Sequence, residues 1–231
     1  MKILFLNTWH ATLADELQTY IQNNLSSTSI FCFQEADSTS RALYENLLLP
    51  DFELFETKRL EVDGTWYTNA TYVRRTLKVV ERYDLFLEQP EGMHLGVANY
   101  VTVEQDGKRI TVCNVHGIPQ PGNKLDSPAR LYQTETLINT FAEHESVVIG
   151  GDFNLLPEAQ SVRSFAEHGY RNLIVDYNVQ TTRNAYTFDK YPNNIQYYAD
   201  YVFVSPILTV TSFVVPEVIV SDHQPLEVIV Q

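Results

Sequence analysis

The chain has 231 residues, of which 44% are hydrophobic and 19% are charged. These values are ordinary for one globular domain, which we take to span residues 1–231, and no apolar run is long enough to cross a membrane. The net charge of −13 comes from 16 Lys and Arg against 29 Asp and Glu. With so few cations a broad basic face is not expected, so the composition disfavours tight binding of duplex nucleic acid.

The two cysteines, Cys32 and Cys113, lie within apolar, strand-like runs. This placement indicates small core residues in a reducing compartment and not a disulfide framework. The chain starts directly with a strand-like run at residues 2–6, without the basic region and cleavage site of a secretory leader. We therefore expect a cytoplasmic protein, and we take it to be a monomer.

The first fifty residues alternate between strands and helices. Apolar strands are predicted at 2–8 and 29–34. A helix is predicted over 12–24, with Thr12 as its cap and apolar side chains at helical spacing. A second helix, over 38–49, stops at a proline. This order is typical of crossover units.

The middle of the chain is predicted to contain strands alone. Asp106-Gly107 is a hairpin signal between the last two of them. The predicted strands are 52–57, 65–74, 77–87, 96–104 and 109–115.

The last part of the chain mixes both element types. Ser127-Pro128 is a cap followed by proline at the first helical position, so a helix should run from there to about residue 144. The whole pattern favours an α/β fold with two packed sheets and helices outside them over a single doubly wound parallel sheet. The remaining predicted elements are strand 147–150, helix 158–168 and strands 198–205, 208–215 and 226–230.

Polar side chains recur where predicted strands begin or end, and a core does not need them there. A divalent metal and a phosphate would need them, because phosphoester hydrolysis requires charge neutralisation, an oriented water and a donor to the phosphate oxygens. Each motif alone is weak: Gly-Asp-Phe-Asn is also a turn sequence, and Ser-Asp-His is also a loop cap. The side chains are Asn7, Glu35, His116, Asp152, Asn154, Asp200, Asp222 and His223.

Five of these residues have chemistry that suggests a role directly. Glu35 is a natural ligand for Mg²⁺, and Asp152 can orient or deprotonate a water beside Asn154. His223 would donate to the phosphate when protonated, a state that a neighbouring carboxylate favours. Asp200 is the predicted carboxylate partner, and His116 is a second predicted phosphate donor.

The ordered set resembles the endonuclease/exonuclease/phosphatase family. The matching words are Leu6-Asn7, Phe33-Gln34-Glu35, Asn114-Val115-His116, Gly150-Gly151-Asp152-Phe153-Asn154, Ala199-Asp200-Tyr201-Val202-Phe203-Val204-Ser205 and Ser221-Asp222-His223. The resemblance implies a four-layer sandwich of two mixed β-sheets flanked by helices. It also implies that Glu35, Asn7 and Asp222 serve Mg²⁺ or Mn²⁺, that Asp152 activates water, and that His223 contacts phosphate. At Thr8-Trp9 and Tyr198-Ala199 the sequence departs from motifs that are common in the family. These departures bear on the subgroup and not on the chemistry, because neither removes a ligand.

The same site chemistry serves more than one class of phosphoester substrate. The leading hypothesis is a metal-dependent phosphodiesterase acting on nucleic acid or a nucleotide-like substrate. The alternatives are a hydrolase of small or lipid-linked phosphoesters, an inactive binding module of the same fold, and structural Ca²⁺ binding. Arg130 and Lys124 are the predicted substrate contacts, and Arg183 is a further possible phosphate contact, with solvated surface as the default for each of the three. Trp9, Trp66, Tyr67 and Tyr72 form either a stacking platform or, more readily, part of the core.

Overall fold

The computed structural model describes residues 1–37, 40–60, 66–87, 96–105, 107–193 and 195–231. Within these residues twelve strands form two six-stranded mixed sheets, which pack on each other and carry helices outside. The α/β sandwich predicted from the sequence is confirmed. In chain order the elements are β1 (Lys2–Asn7), α1 (Ala14–Asn24), β2 (Ile30–Gln34), α2 (Arg41–Leu48), β3 (Phe52–Leu60), β4 (Trp66–Arg74), β5 (Lys78–Phe86), β6 (Val97–Gln105), β7 (Lys108–His116), α3 (Pro128–Thr140), β8 (Val147–Asp152), α4 (Gln160–Glu167), β9 (Arg171–Asn172), α5 (Leu173–Asp176), α6 (Ala185–Lys190), β10 (Asp200–Val204), β11 (Val210–Val214) and β12 (Leu226–Val230).

The two sheets share one plan. The first has the order β11-β12-β1-β2-β4-β3, and the second has the order β5-β6-β7-β8-β10-β9. Each contains one parallel pair, β1 with β2 and β7 with β8, and its other pairs are antiparallel. The carboxyl ends of parallel neighbours lie at the same edge of a sheet. The ends of these four strands therefore set the position of the candidate site.

Strand side chains alternate between two hydrophobic clusters. On β1, Ile3 and Phe5 face the cluster between the sheets, whereas Leu4 and Leu6 face the cluster under α1 and α2. This two-residue period is the pleat of a strand that is covered on both faces. It explains why the run reads as continuously apolar in the sequence.

The sheets approach closely beside the site. A Cβ on Gly150 would lie 2.7 Å from the ring of Phe5, and a Cβ on Gly151 would lie 2.9 Å from Gln34 Nε2, and both neighbours belong to the first sheet. Gly151 also has a φ of +127°, a conformation that side-chain-bearing residues rarely adopt. Nearby, Gln34 Nε2 donates to Asn114 Oδ1 across the sheets at 2.6 Å. Glycine at both positions therefore lets β8 carry Asp152 close to the first sheet.

Several predicted boundaries and elements differ from the structure. Thr12 does not cap α1, because its hydroxyl donates to the carbonyl of Trp9 and the helix begins at Ala14. The helix after Ser127 ends at Thr140, short of residue 144. The sequence did not predict β9, α5 or α6, which are too short to show a periodicity. The predicted starts at residues 38 and 65 and the hairpin residue Asp106 lie outside the described residues.

Cys32 and Cys113 are buried and carry free thiols, as the sequence predicts. Across the described ranges, no helix is long and apolar enough to cross a membrane.

Candidate active site

One edge of the sandwich brings together the polar strand ends. Asn7 and Gln34 are register partners at the ends of β1 and β2, and Glu35 follows directly. In the other sheet, Asp152 at the end of β8 is the register partner of both His116 and Asp200. The Ser221–His223 turn precedes β12, which runs antiparallel to β1 and so starts at the same edge. We call the region that these side chains line the candidate cleft.

Asn7 joins the two sheets within the candidate cleft. Its Nδ2 donates to Glu35 Oε1 at 3.1 Å and to Asp152 Oδ2 at 3.0 Å. Its Oδ1 accepts the backbone N–H of Trp9, and its own carbonyl accepts the hydroxyl of Ser221. The amide is buried and fully engaged, so it holds two carboxylates from different sheets around one donor.

A strained turn follows Asn7. Trp9, His10 and Ala11 have φ values of 47°, 56° and 53°, and each such non-glycine residue costs about 1–2 kcal/mol. The turn places His10 between two carboxylates, with Nε2 3.1 Å from Glu35 Oε2 and Nδ1 2.9 Å from Asp37 Oδ2. His116 reaches the same Glu35 from the other side, at 3.7 Å. Glu35 is thus oriented by Asn7 and bordered by two histidines.

Asp200 and His223 form a buried pair at the floor of the candidate cleft. His223 Nδ1 lies 2.9 Å from each oxygen of Asp200, and His223 Nε2 faces Asp152 Oδ2 at 3.7 Å. Burial and the charge of Arg183 lower the pKa of His223, but three carboxylates outweigh them and raise it. The imidazole therefore favours its protonated form, with Nε2–H directed toward Asp152.

Asp152 stays ionised in spite of its burial. Burial raises the pKa of this carboxyl, but His223 and His116, with further cations, lower it to about 2. Asp152 Oδ1 accepts the backbone N–H of Asn154 at 2.8 Å, and Asn154 has a φ of 56°. The Gly-Asp-Phe-Asn sequence therefore forms a tight turn that aims both polar side chains toward the edge of the sheets.

Lys124 enters from the loop after β7. Its Nζ donates to Asn154 Oδ1 and to the carbonyl of Pro119, while Asn154 Nδ2 donates to the carbonyl of Gly117. Burial lowers the pKa of Lys124 to about 8, although the nearby Asp152 opposes this effect. Lys124 is thus a half-buried cation placed against a residue that the sequence assigns to the site.

Arg130 does not enter the candidate cleft. Its side chain is fully buried, and its guanidinium donates to the carbonyls of Ile118, Pro119, Pro121 and Leu125. The prediction that Arg130 contacts substrate is wrong for this geometry, because its donors support the loop that carries Lys124.

Asp222 is paired with a residue for which the sequence favoured a solvated position. Arg183 Nη1 lies 3.2 Å from Asp222 Oδ2, and Asp222 Oδ1 lies 3.8 Å from His223 Nε2. The Arg183 side chain is only 11% exposed. No local motif marks Arg183, because it meets Asp222 across 39 residues of chain.

The aromatic residues separate into core and rim. Tyr72 is buried in the cluster beneath α1 and α2, as its strand position favours. Trp9 packs against Tyr186 with ring centroids 5.4 Å apart, and Lys190 Nζ lies 4.3 Å from the Trp9 ring. The side chains of Trp66 and Tyr67 lie outside the described part of the structure.

Two sets of side chains in the described ranges could hold a divalent metal. Glu35 Oε1 and Asp152 Oδ2 share the Asn7 donor and supply hard oxygens, which suit Mg²⁺ and Mn²⁺. Asp152, Asp200 and His223 also present ligand atoms within 4.8 Å of one another. In that second set Asp200 and His223 already bond to each other, so a metal would compete with their pair. The donor chemistry therefore fits the oxygen-rich set around Glu35 better.

The sequence matches the model of the Endonuclease/Exonuclease/phosphatase family over residues 4–223. The chain belongs to this family. Members of the endonuclease/exonuclease/phosphatase family are typically metal-dependent phosphoesterases. The match covers the strand ends described above, from Asn7 to His223.

Solved structures of the family share this fold at low sequence identity. A Bacteroides thetaiotaomicron mannosyl-6-phosphatase has a TM-score of 0.80 at 18% identity, covering 100% of this chain and 99% of that one. The human Nocturnin catalytic domain with bound sulfate has a TM-score of 0.78 at 17% identity, and the alignment covers 100% of this chain and 93% of that one. D. rerio TDP2 with a single-strand DNA product has a TM-score of 0.75 at 15% identity, and the alignment covers 100% of this chain and 98% of that one. No curated protein matches the sequence.

Proposed function

We propose that this protein is a divalent-metal-dependent hydrolase of phosphoesters, with a nucleotide-like or nucleic-acid phosphodiester as its preferred substrate. The observation that carries the proposal is the pairing of Asp200 with His223, which directs Nε2–H toward Asp152 and the Glu35 side of the candidate cleft. A cytoplasmic location and a monomeric state stay predictions.

Glu35, with Asp152 and Asn7 beside it, is the proposed holder of Mg²⁺ or Mn²⁺. A divalent ion bound there would neutralise the phosphate and stabilise the charge that develops on its oxygens. The protonated imidazole of His223 donates Nε2–H to a phosphate oxygen, and Asp200, which accepts a hydrogen bond from Nδ1–H, stabilises the ring in that protonated form. Asp152 accepts a hydrogen bond from the attacking water and orients it, while Lys124 and Asn154 hold the phosphate from the loop side.

Aromatic side chains at the rim of the candidate cleft favour a substrate that contains a ring. Trp9 follows the Asn7 strand end, and it forms with Tyr186 an aromatic corner that Lys190 makes cationic. Aromatic side chains stack on bases without regard to sequence, and a nearby cation favours an anionic ligand. This corner favours a nucleotide-like group next to the scissile phosphate.

A small phosphomonoester is the second candidate. The net charge of −13 leaves few cations for a long nucleic acid, and most of the cations near the cleft are the ones grouped around Asp152, namely His223, His116, Arg183 and Lys124. Duplex DNA should accordingly bind weakly, with a shallow dependence on salt. The mannosyl-6-phosphatase among the structural neighbours supports the same alternative for this chain.

A metal-dependent substrate screen tests both candidates. The purified protein is stripped with EDTA and assayed with Mg²⁺ or Mn²⁺ on thymidine 5′-monophosphate p-nitrophenyl ester, p-nitrophenyl phosphate, mannose 6-phosphate and single-strand DNA. We expect hydrolysis only with metal, and faster hydrolysis of the nucleotide diester than of the monoesters. Glu35→Gln should lose activity, whereas Glu45→Gln, which alters a half-buried ion pair with Arg41 on α2, should retain it. Activity that persists in EDTA would exclude the proposed chemistry, and faster monoester hydrolysis would favour the second candidate.

A further inference from the structure

Arg183 is fixed beside the floor of the candidate cleft. Its backbone forms an isolated antiparallel bridge with His223, and its carbonyl accepts the side-chain N–H of Gln224 at 2.9 Å. Its own backbone N–H donates to Thr181 Oγ1 at 3.0 Å. The residue is 9% exposed overall. A long cationic side chain is therefore buried next to the residue assigned to phosphate contact.

The guanidinium of Arg183 is only partly satisfied by the protein. Its Nη1 donates to Asp222 Oδ2 at 3.2 Å, while its buried Nε has no partner among the described residues. A guanidinium offers five N–H donors, and leaving a buried donor unpaired costs free energy. Arg130 provides the comparison within this chain, because its buried guanidinium donates to four backbone carbonyls. These hydrogen bonds explain why the charge of Arg130 is buried, whereas the described residues offer no comparable set of acceptors to Arg183.

We propose that Arg183 is a phosphate-binding residue whose guanidinium contacts a non-bridging oxygen of the substrate phosphate beside His223. We also propose that Asp222 is a positioning residue which holds this guanidinium by its ion pair, in place of the metal-ligand role that the resemblance implies. Both statements rest on the proposed function, since they assign the phosphate to the same cleft.

The chemistry of the pair supports this division of roles. A planar guanidinium matches two phosphate oxygens at once and is always charged, so it suits a phosphate better than an ammonium does. Asp222 lies against one cation at 3.2 Å and near a second, His223 Nε2, at 3.8 Å. A carboxylate placed between two cations is already neutralised, and a divalent metal at Asp222 Oδ2 would have to displace the Arg183 contact.

Binding of inorganic phosphate separates Arg183 from the catalytic step. Calorimetry measures the phosphate Kd of the wild type, Arg183→Gln and Arg183→Lys, each with Mg²⁺ and with EDTA. The matched control is Arg171→Gln, which removes an arginine from an exposed ion pair with Asp176. We expect Arg183→Gln to weaken phosphate binding at least tenfold, Arg183→Lys to recover part of it, and Arg171→Gln to leave it within twofold. Circular dichroism establishes that each variant is folded, and Arg183→Lys keeps the test valid should the glutamine variant not fold.

Several results would overturn the Arg183 assignment. One is a folded Arg183→Gln or Arg183→Lys protein that binds phosphate as tightly as the wild type. Another is a wild type that binds phosphate in neither condition. A wild type with Arg183-dependent phosphate binding but no hydrolysis would instead contradict the proposed function alone.

Asp222 is tested with two ligands. Asp222→Asn should weaken phosphate binding about as much as the Arg183 substitutions, because the guanidinium loses its anchor. The Mn²⁺ Kd, followed by electron paramagnetic resonance without substrate, should stay within twofold of the wild type, whereas Glu35→Gln should raise it at least tenfold. A tenfold loss of Mn²⁺ affinity in Asp222→Asn, with phosphate affinity intact, would return Asp222 to the metal.

Discussion

His223 Nδ1 lies 2.9 Å from both carboxylate oxygens of Asp200, and the two side chains are buried together. Asp200 begins β10, while His223 stands in the turn before β12 of the opposite sheet. The pair therefore forms only when the two sheets pack. Its consequence is a fixed imidazole whose second nitrogen faces Asp152 at 3.7 Å.

Replacing Asp200 tests the orientation of this imidazole. Asp200→Asn keeps the shape but removes the charge, so the pKa of His223 should fall and the ring should lose its preference for the protonated form. We expect the rate of hydrolysis to fall about 10²-fold, within the usual range for a positioned acid–base group. The pKa is measured by NMR titration of the imidazole. Asp176→Asn, in an exposed ion pair, is the control. An unchanged His223 titration in Asp200→Asn would contradict the assigned coupling.

Asp152→Asn tests the residue proposed to orient water. The amide preserves the volume but cannot accept a proton, so the rate should fall about 10²–10⁴-fold. Mn²⁺ binding should survive this change better than it survives Glu35→Ala, because Glu35 is the proposed principal ligand. Single-turnover hydrolysis and a Mn²⁺ titration measure the two effects separately. Wild-type hydrolysis by Asp152→Asn would remove its assigned role.

The lowered pKa of Lys124 predicts a loss of activity at alkaline pH. Burial, the largest influence, lowers its pKa from the ordinary value to about 8. The charged form that binds phosphate is therefore present below about pH 8 and is lost as the pH rises through that value. The rate plotted against pH should show this inflection in the wild type. Lys124→Met should be slower and lack the inflection, whereas Lys124→Arg should stay active to higher pH because a guanidinium remains charged.

The control for Lys124 is Lys78→Met, which removes an exposed lysine paired with Glu104. This variant should keep the wild-type pH profile. If Lys124→Met retained the inflection near pH 8, another group would have to account for it.

Arg130→Gln should destabilise the protein. The substitution leaves the carbonyls of Ile118, Pro119, Pro121 and Leu125 without their charged donor, which should lower the free energy of unfolding by about 3 kcal/mol or more. Urea denaturation measures the loss. Arg109→Gln, at an exposed position, should change it by less than about 0.5 kcal/mol.

The stability loss at Arg130 should be separable from phosphate binding. Because Lys124 Nζ donates to the carbonyl of Pro119, a loosened loop should weaken phosphate binding only moderately. A stable Arg130→Gln protein that has lost phosphate binding would restore the direct contact predicted from the sequence.

The sequence alone determined the strand ends that carry polar groups. Asn7, Glu35, Asp152, Asp200 and His223 each stand beside an apolar run, and strand identity depends on local periodicity that the sequence displays. The order and spacing of the motifs that contain these residues identified the family over nearly the whole chain. The two packed sheets followed from the same pattern, because alternating helices and adjacent strands leave few ways to bury both faces.

Only the tertiary structure decided what the cations do. Arg130 and Arg183 look alike in the sequence, yet one supports a loop from within and the other pairs with Asp222 beside the candidate cleft. The short helix α6 and the strained turn that places His10 against Glu35 were likewise invisible, since neither has a local periodicity. The physical reason is that a charged side chain takes its partners from segments that folding brings together. Arg183 and Asp222 are 39 residues apart, whereas Asn7 and Asp152 are 145 residues apart.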